Sequence, residues 1–524
     1  MKSDIPSQSD ATPARPLSLA DWLLSITAGL SLINLLGLWF WYYPGSVPIG
    51  ATGGVWTALA YDFSKGIFYR PVFDDFGYGG TRYLFLFFIL HGTLMRILHD
   101  PVIAGNVLVL GSAVLLSAGI YALLRRLGLR LLHAAACSAL TTISISYQLV
   151  TLEIMGEFLA CALNIWGVVF AVHYWQKKTN SFLIFSALCF AGSFLTKFSS
   201  LTGLTAVCLY FLLQKQYRPI FKLLAWTGSV VLFSLLVAYR ASEGRMVDAF
   251  LAFGEGPPDW NYAFKFSLWF FMLLLRDPFL FLMFGFALFF IFKNKNPAWA
   301  SFQKIYFFVT LAFTLIILTS RGTDYNHLLD LIVASVLILG GQMHKAVNSE
   351  KTVSVLFGVL IAGLIFTWLP GTISIKQFMQ SHGGKPSREK MEQVIEKLGP
   401  QEINILSENP LIPILMGRRP EMLDAFALRR LSLAHPEIQK DFAGKLENQY
   451  FGAVILLDFS GAPQSEILQA MAKHSSPGAG SFYGGVHFPP GFLALLQERY
   501  TLGFVTSPYV VFFPKNISGV APSR

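Results

Sequence analysis

SKGIFYRPVFDDFGYGGTRYLFLFFILHG, residues 64–92, decides how the rest of the chain is read. It starts polar, carries the adjacent aspartates Asp74 and Asp75, and turns through Gly77, Gly79 and Gly80. It then runs into a short apolar segment interrupted by His91, Gly92 and Arg96. A long, nearly uncharged apolar run lies upstream. Carboxylates next to a membrane are costly to keep and mark a functional site unless water solvates them. Two side by side suit a general base or a metal ligand. A pair that merely caps a solvated turn before GYGG would read the same.

Composition sets the frame for that loop. Hydrophobic residues make up 54% of the 524 residues and charged ones 13%, where an ordinary soluble chain is about 25% charged. This predicts a polytopic α-helical membrane protein. The net charge of +10 is spread over short loops, a pattern of topology control rather than nucleic-acid binding. Cys137, Cys161, Cys189 and Cys208 all fall in apolar segments without paired or metal-ligand spacing, and read as small core residues. Residues 1–18 are polar and rich in Pro and Ser. They lack the cleavage site of a signal peptide and read as a disordered cytoplasmic tail.

A spanning helix needs roughly 20 apolar residues. Candidates within residues 19–370 are Leu19–Tyr42, Val102–Leu124, Leu132–Val150, Leu152–Trp175, Phe182–Leu195, Ser199–Leu213, Phe221–Tyr239, Phe279–Phe292, Phe302–Thr319, Leu328–Met343 and Val353–Leu369. If Tyr83–Leu98 lies along the interface, the basic loops RRLGLR, QKKTN, QKQYRPIFK and KNKN all fall in the cytoplasm, as the positive-inside rule requires. That gives eleven spans, a cytoplasmic N-terminus, a long first outer loop at 43–82 and an outer C-terminus. Most acidic residues near spans then sit on the outer side, in this loop, in YQLVTLEIMGE, in residues 240–277 and in TSRGTDYNHLLD. Residues 381–524 are more highly charged. EINIL and GAVILLDFS read there as buried strands, and SREKMEQVIEKLG and PEIQKDFAGKLENQY as amphipathic helices, so a soluble outer α/β domain is expected.

The order of these features resembles the GT-C superfamily of membrane glycosyltransferases, of the bacterial protein O-mannosyltransferase and aminoarabinose transferase type. SKGIFYRP, an acidic pair and GGTRYLFLFFILHG match the family's first outer loop. TLEIMGEFLACALNIWGV resembles the span after the second outer loop, and AGSFLTKFSSLTGL the turn between two short helices. RGTDYNHLLDL resembles the polar start of a late span, and ILSENPLIPILMGRRPEMLDAF the outer tail. One departure is clear. Many relatives carry an acid at the very start of the first loop, whereas PGSVPIGATGGVW contains none, and the nearest carboxylates are Asp62, Asp74 and Asp75.

The resemblance implies an inverting transfer of a sugar from a polyprenyl-phosphate donor to a lipid, glycan or protein acceptor at the outer face of the inner membrane. One base takes the acceptor's proton and cations hold the phosphate. Asp75 or Asp74 is the expected base, with Glu153 and Glu157 as partners. Lys197 is the expected phosphate ligand, backed by Arg82 and Arg321, although each cation could instead anchor at headgroups. His91 and His327 are expected to make structural polar contacts. No cofactor is expected to be obligatory; a divalent cation on the hard oxygens of Asp74, Asp75 and an outer glutamate remains open. Two other classes stay in view: a non-catalytic scaffold or lipid-binding protein on the same fold, and a transporter. The transporter is disfavoured because the acids lie at span ends and no inverted repeat is visible.

Overall fold

The structure is a computed structural model that describes residues 50–75, 77–254, 265–293, 302–320, 323–346, 387–458, 466–473, 475–476 and 480–515, with scattered positions between 22 and 37. Among the described residues four helices are long and apolar enough to cross a membrane: Pro101–Arg126, Glu157–Lys177, Tyr217–Ala241 and Tyr325–Gln342. Asp100 starts the first of them. Its carboxylate accepts the N–H groups of Val102 and Ile103 at 2.9 and 2.8 Å, and Pro101 fills the position that needs no donor. Glu157–Lys177 is the central helix, 72% of its apolar window being buried, whereas 11% is buried in Tyr217–Ala241, which faces outward. Around the centre pack Pro101–Arg126, Asn180–Thr196 and Thr202–Leu213. Gly167 permits a close approach, since a Cβ there would lie 2.6 Å from the Phe190 ring.

Three segments differ from the expected spans. Leu132–Val150 is a helix to Leu140, a 3-10 turn Thr141–Ile143 and a new helix Ile145–Thr151. The break is polar. Asp277 accepts the Ser144 hydroxyl and the Ser146 N–H, the latter at 2.9 Å, so the carboxylate satisfies groups a continuous helix would have bonded internally. Residues 240–277, read as a loop, contain the apolar helix Phe266–Arg276, which folds back at 116° onto Pro278–Lys293 because Pro278 cannot extend it. The first outer loop contains the helix Ala51–Ser64. Its C-terminal carbonyls at Phe63 and Ser64 are capped by Arg96 from Leu86–Leu98 at 2.9 and 3.0 Å, which accounts for a cation in that apolar helix. The expected span Val353–Leu369 lies outside the described residues.

The tail carries a four-stranded sheet in the order Ile405–Ser407, Ala453–Leu457, Tyr509–Pro514, Tyr500–Thr506. The first pair is parallel and the others antiparallel. Three helices (Leu411–Leu415, Ala425–Ala434 and Pro436–Glu447) form the crossover between the parallel strands. The first outer loop is built onto this unit. Its hairpin Phe73–Asp74/Gly77–Tyr78 continues as a parallel bridge from Tyr78 to Met422, where the Tyr78 N–H meets Glu421 O at 2.6 Å and Leu423 N–H meets Tyr78 O at 3.0 Å. The buried Tyr78 ring belongs to the tail's own apolar core, and its hydroxyl donates to Asp441 at 2.6 Å. Gly77 is obligatory here: its φ is +126°, and a Cβ would lie 2.0 Å from Glu421 O.

Candidate functional site

The chemistry gathers where the helix Asn180–Thr196 stops. Lys197 leaves the helix in an extended conformation, φ −149° and ψ 112°. Its carbonyl takes the Ser200 N–H at 2.9 Å, while Ser193 ties the turn to the central helix through Ala160 O at 2.7 Å. The sequence LTKFSS thereby turns a lysine inward instead of continuing a helix. Glu157 opens the central helix beside Gly156, where the helix dipole favours an anion. Lys197 Nζ donates to Glu157 Oε1 at 3.0 Å and lies 3.2 Å from His327 Nδ1. Asn326 donates to the same Oε1 at 2.7 Å. Both donors take one oxygen, and Glu157 Oε2 is buried with no hydrogen-bond partner.

These residues line a cavity of about 20 Å³, enough for one ordered water, together with Asp330. Asp330 Oδ1 has only long contacts, 3.4 Å each, from Cys161 Sγ, Asn164 Nδ2 and Thr202 Oγ1. Arg82 approaches from the first outer loop. Its guanidinium lies 4.8 Å from the Phe426 ring and 5.7 Å from the Tyr83 ring, within electrostatic range of Glu157 and Asp424. His327 feels both Lys197 and Arg82. Glu153 lies beside Gly50, where its Oε1 would be 3.1 Å from an added Cβ, and its charge, like that of Glu157, acts on Tyr325.

The structure therefore brings Lys197 and Glu157 together in the cavity, with Arg82 within electrostatic range of Glu157, and pairs Asp74 with Arg419 of the tail instead. Asp74 stands 4.0 Å from Arg419 of the tail, and Asp75 is exposed on the hairpin turn. What approaches the glycines of FGYGG is the tail backbone at Glu421 for Gly77, the loop's own Pro71 carbonyl for Gly79 and the Leu431 side chain for Gly80, not the cavity. Asp62 is gripped by Arg70 through two bonds of 2.7 and 2.8 Å, both residues being buried, and Arg70 also donates to Pro420 O at 2.7 Å. That is a structural pair. His91 contacts Pro101 O at 2.8 Å. Arg321 lies outside the described residues. Sequence reasoning passed over Asn326, Asp330 and Phe426; the run DYNHLLD at the start of a span was the available signal for the first two. Among the described residues no group of three or more His, Cys, Asp or Glu side chains converges to hold a metal, so the residues present do not form a metal cage.

No family model matches the chain, and no curated protein matches it by sequence. Solved structures do match in shape. The aminoarabinose transferase ArnT of Cupriavidus metallidurans, bound to undecaprenyl phosphate, superposes with a TM-score of 0.57 at 12% identity, over 94% of this chain and 98% of that one. The chain has the GT-C fold. The Archaeoglobus fulgidus oligosaccharyltransferase tethered to an acceptor peptide matches with a TM-score of 0.53 at 12% identity, over 92% of this chain and 72% of that one. A structure of the same archaeal enzyme in complex with zinc and sulfate matches with a TM-score of 0.53 at 12% identity, over 91% of this chain and 71% of that one. Together with the apolar helices, this GT-C fold makes the chain an integral membrane protein.

Proposed function

We propose that this GT-C protein is a glycosyltransferase that moves a hexosyl or pentosyl group from a polyprenyl-phosphate donor to an acceptor hydroxyl, with inversion, at the outer face of the inner membrane. The observation that carries the reading is Lys197, a cation turned inward at a helix break and matched to Glu157 beside a cavity. A GT-C neighbour of almost the same length is described bound to undecaprenyl phosphate. The eleven-span topology with the tail outside belongs to this proposal, and puts Arg82, Glu153, Glu157 and Lys197 at the outer surface.

Lys197 and Arg82 would share the phosphate oxygens, neutralising the charge that develops as the bond from the anomeric carbon to phosphate breaks. For the base we favour Glu157 over Asp75 and Asp74, because only Glu157 stands in the cavity, and because Oε2 is bare while Oε1 is held by two donors. As the phosphate draws Lys197 away, Glu157 loses its cation and its bare oxygen can take the acceptor's proton. Activation would then be triggered by the donor. Glu153 would line the acceptor's path.

Undecaprenyl phosphate binding to the full chain in nanodiscs tests the reading. Lys197→Ala should weaken binding about tenfold, on the order of 1.4 kcal/mol. Equal affinity in the variant would leave Lys197 as a headgroup anchor.

A further inference from the structure

We propose that the turn Tyr325–Leu328 is a neutral clamp on the ion pair of the cavity. Asn326 holds Glu157 and His327 holds Lys197, so that each stays in place when a phosphate separates them. This rests on the phosphate role given above to Lys197 and the base role given to Glu157.

The turn opens the late span. Asp324 caps it by accepting the Tyr325 N–H at 2.8 Å, and the helix Leu329–Ala346 continues directly from it. Just before it, Thr323 O accepts the Trp269 indole N–H at 3.1 Å, which ties the segment to the helix Phe266–Arg276. Two adjacent residues of the turn then meet opposite charges. Asn326 Nδ2 donates to Glu157 Oε1 at 2.7 Å, and His327 Nδ1 lies 3.2 Å from Lys197 Nζ. An ammonium carries donors only, so Nδ1 is the accepting nitrogen and the ring proton sits on Nε2. Lys197 closes the circuit on Glu157 Oε1 at 3.0 Å. The anion and the cation are thus each gripped from one short turn, by an amide and an imidazole that add no charge.

Neutrality decides what the clamp can do. Among the described residues Lys197 is the one cation within hydrogen-bond reach of Glu157. Once a phosphate takes it, Asn326 is the donor left on a buried carboxylate, where losing the last partner costs most. His327 in turn retains the ammonium after Glu157 lets go. An uncharged acceptor does so without competing with the phosphate as a second carboxylate would. Both contacts therefore count for more in the opened pair than in the closed one, and both favour opening. Asn326 and His327 are positioning residues, acting through Glu157 and Lys197.

The test is undecaprenyl phosphate affinity of the full chain in nanodiscs, with a thermal midpoint recorded for each variant. Asn326→Ala and His327→Leu should each weaken binding about three- to tenfold. His327→Asn should stay within about twofold of the parent, because its amide oxygen stands as many bonds from the backbone as Nδ1 and accepts in the same way. In the Glu157→Gln background Asn326→Ala should have no further effect, since no charge is left to strand. In the Lys197→Ala background His327→Leu should have none, since there is no ammonium to hold. Unchanged affinity in both Asn326→Ala and His327→Leu, or full additivity in either double variant, overturns the clamp even when Lys197→Ala binds weakly. Parent-like affinity in Lys197→Ala removes the phosphate site itself, and the clamp with it.

Discussion

Replacing Glu157 by Gln separates the two things its carboxylate does. The amide keeps the shape and can still accept from Asn326 and Lys197, but it carries no charge and cannot serve as a base at neutral pH. Lys197 Nζ stands 3.0 Å from Oε1, with the two side chains 20% and 8% exposed. At an effective dielectric of about 20, charges roughly 4 Å apart attract by about 4 kcal/mol. An incoming phosphate restores most of that to Lys197 in the parent protein, so only the competition between two anions is at stake. About a third of the attraction, ~1.4 kcal/mol, gives about tenfold tighter binding of undecaprenyl phosphate by Glu157→Gln. Transfer should fall about 10²–10⁴-fold in the same variant. Both are read on one nanodisc preparation, by lipid-phosphate affinity and by sugar transfer to acceptor. Opposite movement of affinity and rate is the signature. A variant that binds more weakly than the parent, with its thermal midpoint intact, refutes the competition; a parent-like rate refutes the base.

Asp74→Asn and Asp75→Asn should each keep transfer within about threefold, since neither carboxylate stands in the cavity; a loss of 100-fold or more in either would return the base to the hairpin. Gly77→Ala should cost at least ~2 kcal/mol, from a positive φ and a Cβ driven onto Glu421 O, and is read as faster proteolytic release of the tail. The carboxyl of Asp100 is held below its ordinary range: burial alone would raise it, but the N–H of Ile103 and the Arg388 guanidinium outweigh burial. Its folded value lies below its unfolded one, so its contribution is present above about pH 4 and fades as pH falls through the folded value. The thermal midpoint gap between the parent and Asp100→Asn should therefore be constant from pH 8 to 5 and close below about pH 4; a gap that widens in acid would contradict the sign.

Hydropathy made the long helices legible because a lipid-facing helix must be apolar along its length. Val102–Leu124 therefore falls inside Pro101–Arg126, and Phe221–Tyr239 inside Tyr217–Ala241. It misread Leu132–Val150, where a distant carboxylate, Asp277, supplies the hydrogen bonds that make a break affordable. Lys197 was legible because a charged residue in an apolar context has few explanations. At Asp74 and Asp75 a short stretch shows charge but not what the charge faces; the cation beside Asp74, Arg419, lies over 300 residues away in sequence. Asn326 and Phe426 have ordinary local surroundings and become informative only through their partners, Glu157 and Arg82.

The bridge from Tyr78 to Met422 also orders the protein in time. It joins residues 344 positions apart (422 − 78), with most of the apolar helices between them. At roughly 5–20 residues per second of synthesis, the hairpin waits about 17–70 s for its partner strand. Through that interval Tyr78 has no tail core to enter and Arg82 has no Phe426 ring beside it. A ribosome product ending before Met422 would hold Lys197 and Glu157 but lack the segment that Tyr78 bridges. The first outer loop therefore stays unpaired until the final stretch of translation supplies the strand at Met422.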